Sequence, residues 1–182
     1  MNSLDKFHHY FTRVHQSYLP KKLTEQDTQT IDKYLSVDFK ALFYSQPLCD
    51  QRHGLLVFDK AKRLFKNIET VSIKDLLYTS LFHDIAKSSS FKNVTMRVFS
   101  ASILSVVNED QIKSKFSSKR EIGNKIITYS DHSELSANML MDLDLNEFVI
   151  EATRYHHSSD LEIEENCSYP DEVKLFIEAD NL

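Results

Sequence analysis

The chain has 182 residues, enough for one domain, and its 41% hydrophobic and 27% charged residues are typical of a folded protein. Its glycines are Gly54 and Gly123 alone, which excludes the glycine-rich phosphate loops of dinucleotide-binding and P-loop proteins. The net charge of −5 argues against general nucleic-acid binding, although residues 87–125 carry eight basic and three acidic residues. That basic segment either steers a small polyanion or forms a solvated lysine-rich face.

Helical periodicity runs along the chain, and no sustained two-residue alternation predicts a strand. The signature Ser72-x-x-Asp75 opens one helix, and the polar run Lys87-Ser88-Ser89-Ser90 closes it. The other predicted helices span 3–19, 24–44, 50–66, 94–107, 131–142, 145–157 and, from Pro170, 170–182. Segments 108–124 and 158–169 are predicted loops. The sequence therefore predicts an all-α protein.

Cysteine usage and the N-terminus indicate the compartment. Cys49 and Cys167 match no zinc-binding spacing, so we expect two free thiols in a reducing environment, with a disulfide as the alternative. The start MNSLDKFHHYF lacks a basic segment followed by an apolar run, and no apolar run approaches the roughly 18 residues of a membrane span. We therefore expect a cytoplasmic protein with no membrane partner.

Two aspartates, Asp84 and Asp180, lie next to apolar helix positions, where a carboxylate needs a cation or hydrogen-bond donors. His83 and Asp84 are neighbours at the end of an apolar helix, so both can bind one ion only near a helix terminus or a distortion. Asp180 shares the core-facing stripe of the last helix with Val173 and Phe176. A buried carboxylate there requires a cation or strong donors, unless the C-terminus frays.

Three further histidines lie on apolar helix faces. His53 and His132 each share a stripe with aliphatic residues, and His156 shares one with Leu145 and its successors, whereas His157 points away from that stripe. A single inward histidine is more often a satisfied core residue. Four of them together with two aspartates suit a first-row divalent metal better.

The ordered set His53, His83-Asp84 in LFHDIAK, His132 in DHSELSA, His156 in ATRYHHSS and Asp180 in IEADNL resembles the HD-domain superfamily of metal-dependent phosphohydrolases. RYHHSS and the terminal Ala-Asp resemble the subgroup that hydrolyses dinucleoside polyphosphates, and FYSQPLCDQRHGLLV resembles short bacterial HD proteins. The common H-D-I-G-K reads H-D-I-A-K here, with Ala86. The resemblance implies a single HD-domain helical bundle over 42–182, with 1–41 as an extra N-terminal helical segment packed on that core.

The same resemblance implies a divalent-metal cofactor, in this case two ions bridged by Asp84. His53, His83 and Asp180 would complete one position, and His132 and His156 the other, with His157 at the pocket rim or in solvent. Iron or manganese is favoured because a mixed histidine and carboxylate site suits six-coordinate ions, with magnesium, cobalt, nickel and zinc as alternatives.

The implied function is hydrolysis of a phosphoester or phosphoanhydride in a small, nucleotide-like substrate. Asp84 and Lys87 are the expected catalytic residues, and Lys87, Arg52 and Lys92 are expected to bind substrate. Lys87 could instead be a solvated lysine at a helix end, and Arg52 could be merely exposed. Two other functions stay open, a di-iron oxygenase on the same fold and a non-enzymatic nucleotide-binding regulatory module.

Overall fold

A computed structural model describes residues 20–90 and 121–181, together with residues 95, 96, 100, 111 and 114. Across these residues the protein is all-α and contains no strand, which confirms the predicted fold class. No helix in these ranges is both long and apolar enough to cross a membrane. The predicted helices over 3–19 and 94–107 lie largely outside the described residues, as does Lys92.

Helices make up most of the described part of the chain. In chain order they are α1 (Glu25–Tyr34), α2 (Val37–Ser45), α3 (Leu48–Leu64), α4 (Ile73–Phe82), α5 (Lys87–Ser90), α6 (Glu121–Ser130), α7 (His132–Met141), α8 (Glu147–Tyr155), α9 (Asp160–Asn166) and α10 (Pro170–Asp180).

Side-chain caps set several helix starts. The Ser72 hydroxyl accepts a hydrogen bond from the backbone N–H of Asp75 and opens α4, as predicted. The prediction of one helix over 24–44 is wrong, because Leu35 is extended and the Ser36 hydroxyl caps a second helix. The Ser36 cap thus separates two helices where the spacing of apolar residues alone predicts one continuous helix.

Two predicted loops contain helix. Within 158–169, the Ser159 hydroxyl accepts from the N–H of Glu162 and starts α9, whose Ile163 is fully buried. Residues 121–124 of α6 also fall inside the predicted loop 108–124. A two-turn helix that buries one apolar side chain is too short to show periodicity, so the sequence pattern misses it.

The core lies where α3 packs against α4 and α10, and where α8 packs against α4, α7 and α10. Its largest fully buried side chains are phenylalanines: Phe43, Phe58, Phe82, Phe148 and Phe176. Helix α3 comes unusually close to α4 at Gly54, where an added Cβ would lie 2.8 Å from the carbonyl oxygen of Ser80. This packing brings the C-terminal ends of α4, α8 and α10 to one place.

Candidate metal centre

Helix ends position a buried group of imidazoles and carboxylates. His83 caps the C-terminus of α4, His156 caps that of α8, His132 opens α7, and Asp180 closes α10. His53 joins them from the second turn of α3. The structure therefore brings together all the side chains expected to bind metal, and we call them the metal-centre cluster: His53, His83, Asp84, His132, His156 and Asp180.

Asp84 occupies the middle of this cluster. Helix α4 ends at Phe82, earlier than the sequence predicts, and residues 83–86 form a turn before α5. Because of that turn, neighbouring His83 and Asp84 both face the cluster. Asp84 Oδ2 lies 3.4 Å from His83 Nε2 and 3.9 Å from His53 Nε2. Asp84 Oδ1 lies 3.3 Å from His132 Nε2 and 3.4 Å from His156 Nε2, so the two oxygens face two different pairs of histidines.

Asp180 faces only the first of these pairs. His53 Nε2 donates to Asp180 Oδ1 at 2.9 Å, and His83 Nε2 lies 3.3 Å from the same oxygen. The Asp180 residue is 5% exposed, so its position is a buried one and not a frayed end. His53, His83 and the two aspartates thus form one set of donors, while His132, His156 and Asp84 form another.

Three histidines are oriented by the backbone. Nδ1 of His83 lies 3.1 Å from the carbonyl oxygen of Ser80, and Nδ1 of His132 and of His156 each lies 2.7 Å from a carbonyl three residues earlier. A carbonyl oxygen can only accept, so each Nδ1 carries the proton and donates. In the neutral ring, Nε2 then presents its lone pair to the cluster, which is the orientation that metal-bound histidines adopt.

Several of these inward atoms lack a hydrogen-bond partner. Within the described part of the chain, His83 Nε2, Asp84 Oδ1 and His156 Nε2 are buried and make no hydrogen bond. An unsatisfied buried polar atom costs about 1–3 kcal/mol. Lone pairs of nitrogen and carboxylate oxygen that face one another at 3.3–3.4 Å also need positive charge between them.

The electrostatics of the cluster point the same way. Burial alone would raise the pKa of Asp84, but Lys87 and His83 outweigh it and hold that pKa well below the ordinary value. Burial would lower the pKa of His83, yet the Asp84 and Asp180 carboxylates raise it. Burial lowers the pKa of His132, aided by the Lys87 ammonium. The carboxylates therefore stay ionised and attract a cation, while His132 stays neutral and keeps its lone pair.

The residues expected to bind substrate are placed differently from one another. Lys87 Nζ donates to Asp84 Oδ2 at 2.5 Å, at the edge of the cluster. Arg52 instead donates to Asp27 Oδ2 and joins α3 to α1. Lys92 lies outside the described residues.

The sequence pattern does not identify two residues that contact this site. His157 is exposed as a residue, yet its Nε2 lies 3.1 Å from His132 Nε2. The helical projection separates it from His156, but α8 ends at Tyr155, so that projection does not apply at 157. The buried Ser136 hydroxyl accepts from the N–H of Ala86 at 3.0 Å and anchors the turn that carries Asp84. The sequence feature that could have identified Ser136 is its position four residues after His132.

The donor atoms suit a metal ion in both composition and spacing. Two ligand atoms at about 2.0–2.1 Å from one tetrahedral ion lie about 3.3–3.4 Å apart, which matches the distances from Asp84 to His83, His132 and His156. The distance from Asp84 Oδ2 to His53 Nε2 is longer, at 3.9 Å. Among the described residues, the ligand atoms of three overlapping groups lie within 4.8 Å of one another: His53, His83 and Asp84; His83, His156 and Asp180; and His132, His156 and His157. The cluster can therefore hold a metal ion.

Comparison with protein-family models, curated proteins and solved structures finds no match to this chain. The resemblance to the HD-domain superfamily accordingly stays a prediction from the sequence, and the functional argument rests on the metal-centre cluster.

Proposed function

We propose that the chain is a metal-dependent phosphohydrolase that cleaves a phosphoester or phosphoanhydride bond of a nucleotide-like substrate. The observation that supports this most is the carboxylate of Asp84, whose oxygens face two different histidine pairs. A carboxylate so placed suits a bridge between two divalent ions. His53, His83 and Asp180 would complete one position, and His132 and His156 the other, with iron or manganese as the favoured ions.

The chemistry divides between the ions and the chain. When bound, two ions would supply a water of lowered pKa and positive charge opposite the phosphate oxygens. Asp84 and Asp180 hold the negative charge that retains the ions. The Lys87 ammonium, which donates to Asp84 Oδ2, would turn to a phosphate oxygen of the substrate. Lys92, in the same basic segment, would strengthen the attraction for a polyanion.

Two side chains of the site are partly exposed. The His53 side chain is 24% exposed and that of Lys87 17%, while His83 and His156 are fully enclosed. A small phosphorylated molecule would therefore approach the cluster from its His53 and Lys87 edge. For this activity we propose a cytoplasmic location, the compartment that the sequence predicts.

The test is metal analysis combined with a phosphate-release screen, both performed without oxygen. The full chain is purified, loaded with manganese or iron, and incubated with nucleotides, dinucleoside polyphosphates and cyclic dinucleotides. We expect about two ions per chain and turnover of at least one substrate class. Asp84→Asn should lose metal and abolish turnover, because it removes the bridging charge while keeping the side-chain size.

Asp59→Asn is the matched control, since Asp59 lies on the same helix as His53 but is exposed and paired with Lys62. It should retain both metal and activity. Turnover with redox-inert ions in the absence of oxygen separates hydrolysis from a di-iron oxygenase. Nucleotide binding without any turnover would replace the proposal by a regulatory module, and full metal occupancy with activity in Asp84→Asn would contradict it.

A further inference from the structure

We propose that His157 is a third histidine ligand of the ion held by His132 and His156. This inference rests on the metal-dependent function proposed above. Its Nε2 lies 3.1 Å from His132 Nε2, and the ligand nitrogens of the three histidines all lie within 4.8 Å of one another. The separation of 3.1 Å falls between the about 3.0 Å and about 3.3 Å expected for neighbouring nitrogens on an octahedral or tetrahedral ion.

The chemistry of the contact leads to the same assignment. His132 donates through Nδ1 to the carbonyl of Tyr129, so in the neutral ring its only lone pair is on Nε2. With His132 Nε2 as the acceptor, His157 donates its Nε2 proton to that lone pair. An ion on the same lone pair would replace this hydrogen bond. His157 with its proton on Nδ1 would then offer Nε2 to that ion, with no net change in protons.

The backbone directs His157 to this place. After α8 ends at Tyr155, the N–H of Ser158 donates to the carbonyl of Tyr155 at 2.9 Å and closes a turn. Within that turn the rings of His156 and His157 stand 4.1 Å apart, and the rings of His132 and His157 stand 4.9 Å apart. Consecutive histidines that would diverge on a continuous helix therefore face one point.

The two metal positions would then differ in their donors. The first has two imidazoles and the carboxylates of Asp84 and Asp180. The second has three imidazoles and the single oxygen Asp84 Oδ1. Because imidazole suits zinc, iron and nickel while carboxylates suit manganese and magnesium, the second position should prefer the softer ions.

The test is a titration of the metal-free full chain with Co²⁺ in the absence of oxygen, followed by equilibrium dialysis and visible absorption. Wild type is compared with His157→Gln and His157→Ala, and circular dichroism checks that each variant is folded. Loss of an outer hydrogen-bonding partner typically weakens metal binding about 10–100-fold. For a direct ligand we expect both variants to weaken one equivalent of Co²⁺ by more than about 100-fold and to change its spectrum, while the other equivalent is unaffected.

Glutamine is the decisive control, since its amide can still donate a hydrogen bond to His132 but is a poor ligand. If His157→Gln binds both ions as wild type does, His157 is at most a positioning residue and the inference is overturned. If wild type binds only one Co²⁺ and neither variant weakens it, this inference and the dinuclear function are both contradicted. A third outcome separates the two proposals. If both variants lose one equivalent of Co²⁺ but wild type hydrolyses no substrate, His157 is a metal ligand and only the phosphohydrolase function is contradicted.

Discussion

At the scale of single residues, Lys87 is the group whose partner must change when the metal-centre cluster is filled. Its ammonium donates to Asp84 Oδ2, the oxygen that also faces His53 and His83. Burial would lower the pKa of Lys87, but Asp84 raises it, so the ammonium stays charged near the cluster. Lys87 and a metal ion therefore compete for the same oxygen of Asp84. This competition makes it possible to test whether Lys87 binds phosphate.

Replacing Lys87 by methionine should separate substrate binding from metal binding. Methionine has similar length and no charge, so we expect KM for a phosphorylated substrate to rise about tenfold, the effect of roughly 1.4 kcal/mol. Metal affinity should be unchanged or higher, because the competing ammonium is gone. Steady-state kinetics and metal titration measure the two effects.

Lys62→Met is the control for Lys87→Met, since Lys62 pairs with exposed Asp59 on α3. If the Lys87→Met variant loses its metal but has an unchanged KM, Lys87 stabilises Asp84 and does not bind the substrate.

At the scale of helices, the metal-centre cluster depends on how closely α3 approaches α4. An added Cβ at Gly54 would lie 2.8 Å from Ser80 O and 3.0 Å from Leu81 Cα, both of them backbone atoms. The neighbouring His53 and His83 rings stand 5.4 Å apart across this contact. A change of one methyl group therefore alters the distance between donors from different helices.

Gly54→Ala tests this dependence. In an open helix the substitution would stabilise the protein by about 1 kcal/mol. Here we expect a net loss of about 1–3 kcal/mol in the free energy of unfolding, because the helices must separate. We also expect weaker metal binding. Urea unfolding and metal titration measure both, with exposed Asp59→Ala as control, and a Gly54→Ala protein as stable as wild type would refute the close approach.

The contact between α1 and α3 has a pH dependence of known sign. Burial would raise the pKa of Asp27, but hydrogen bonds from Thr24 and the Arg52 guanidinium lower it below 3.8. A group whose folded pKa is depressed stabilises the protein above its unfolded pKa, and this contribution is lost as pH falls through the folded value.

We therefore expect Asp27→Asn to destabilise the protein by about 1 kcal/mol at pH 7 and progressively less below pH 3.8. Urea unfolding at several pH values measures the difference. Asp32→Asn removes an exposed pair with Lys40 and should cost little at any pH. A deficit of Asp27→Asn that persists unchanged at the lowest pH would show that the charge of Asp27 is not its source.

At the scale of the whole molecule, ions in the metal-centre cluster would link α3, α4, α7, α8 and α10. Each ion at 100 times its dissociation constant would add about 2.7 kcal/mol to the free energy of unfolding. Chelation should therefore lower Tm by about 10 °C or more for a chain of this size. Thermal unfolding with and without a chelator measures the shift, and Asp84→Asn should show little of it. An unchanged wild-type Tm after complete metal removal would argue against two tightly bound ions.

Much of the helical framework follows from short-range patterns. Apolar spacing predicts the helices that carry His53 and His156, and local caps such as Ser72 mark true helix starts. The break at Leu35 and the short helix α9 are not predicted, because each depends on a serine cap and, in α9, on the burial of Ile163 in the core. Periodicity needs several turns to be visible, whereas packing needs only one well-placed side chain.

The sequence by itself determined which residue types could bind a cation, since inward histidines and carboxylates are costly to bury unless they have partners. For His53 and Asp180 it also determined the buried side of the helix, whereas Leu135 and Met139, which share the stripe predicted for His132, are exposed. Only the tertiary structure decided that the ends of α4, α8 and α10 meet, that Arg52 joins Asp27, and that His157 reaches His132. The physical reason is that helical projection fixes directions around one axis, while distances between donors on different helices depend on packing and on where each helix ends.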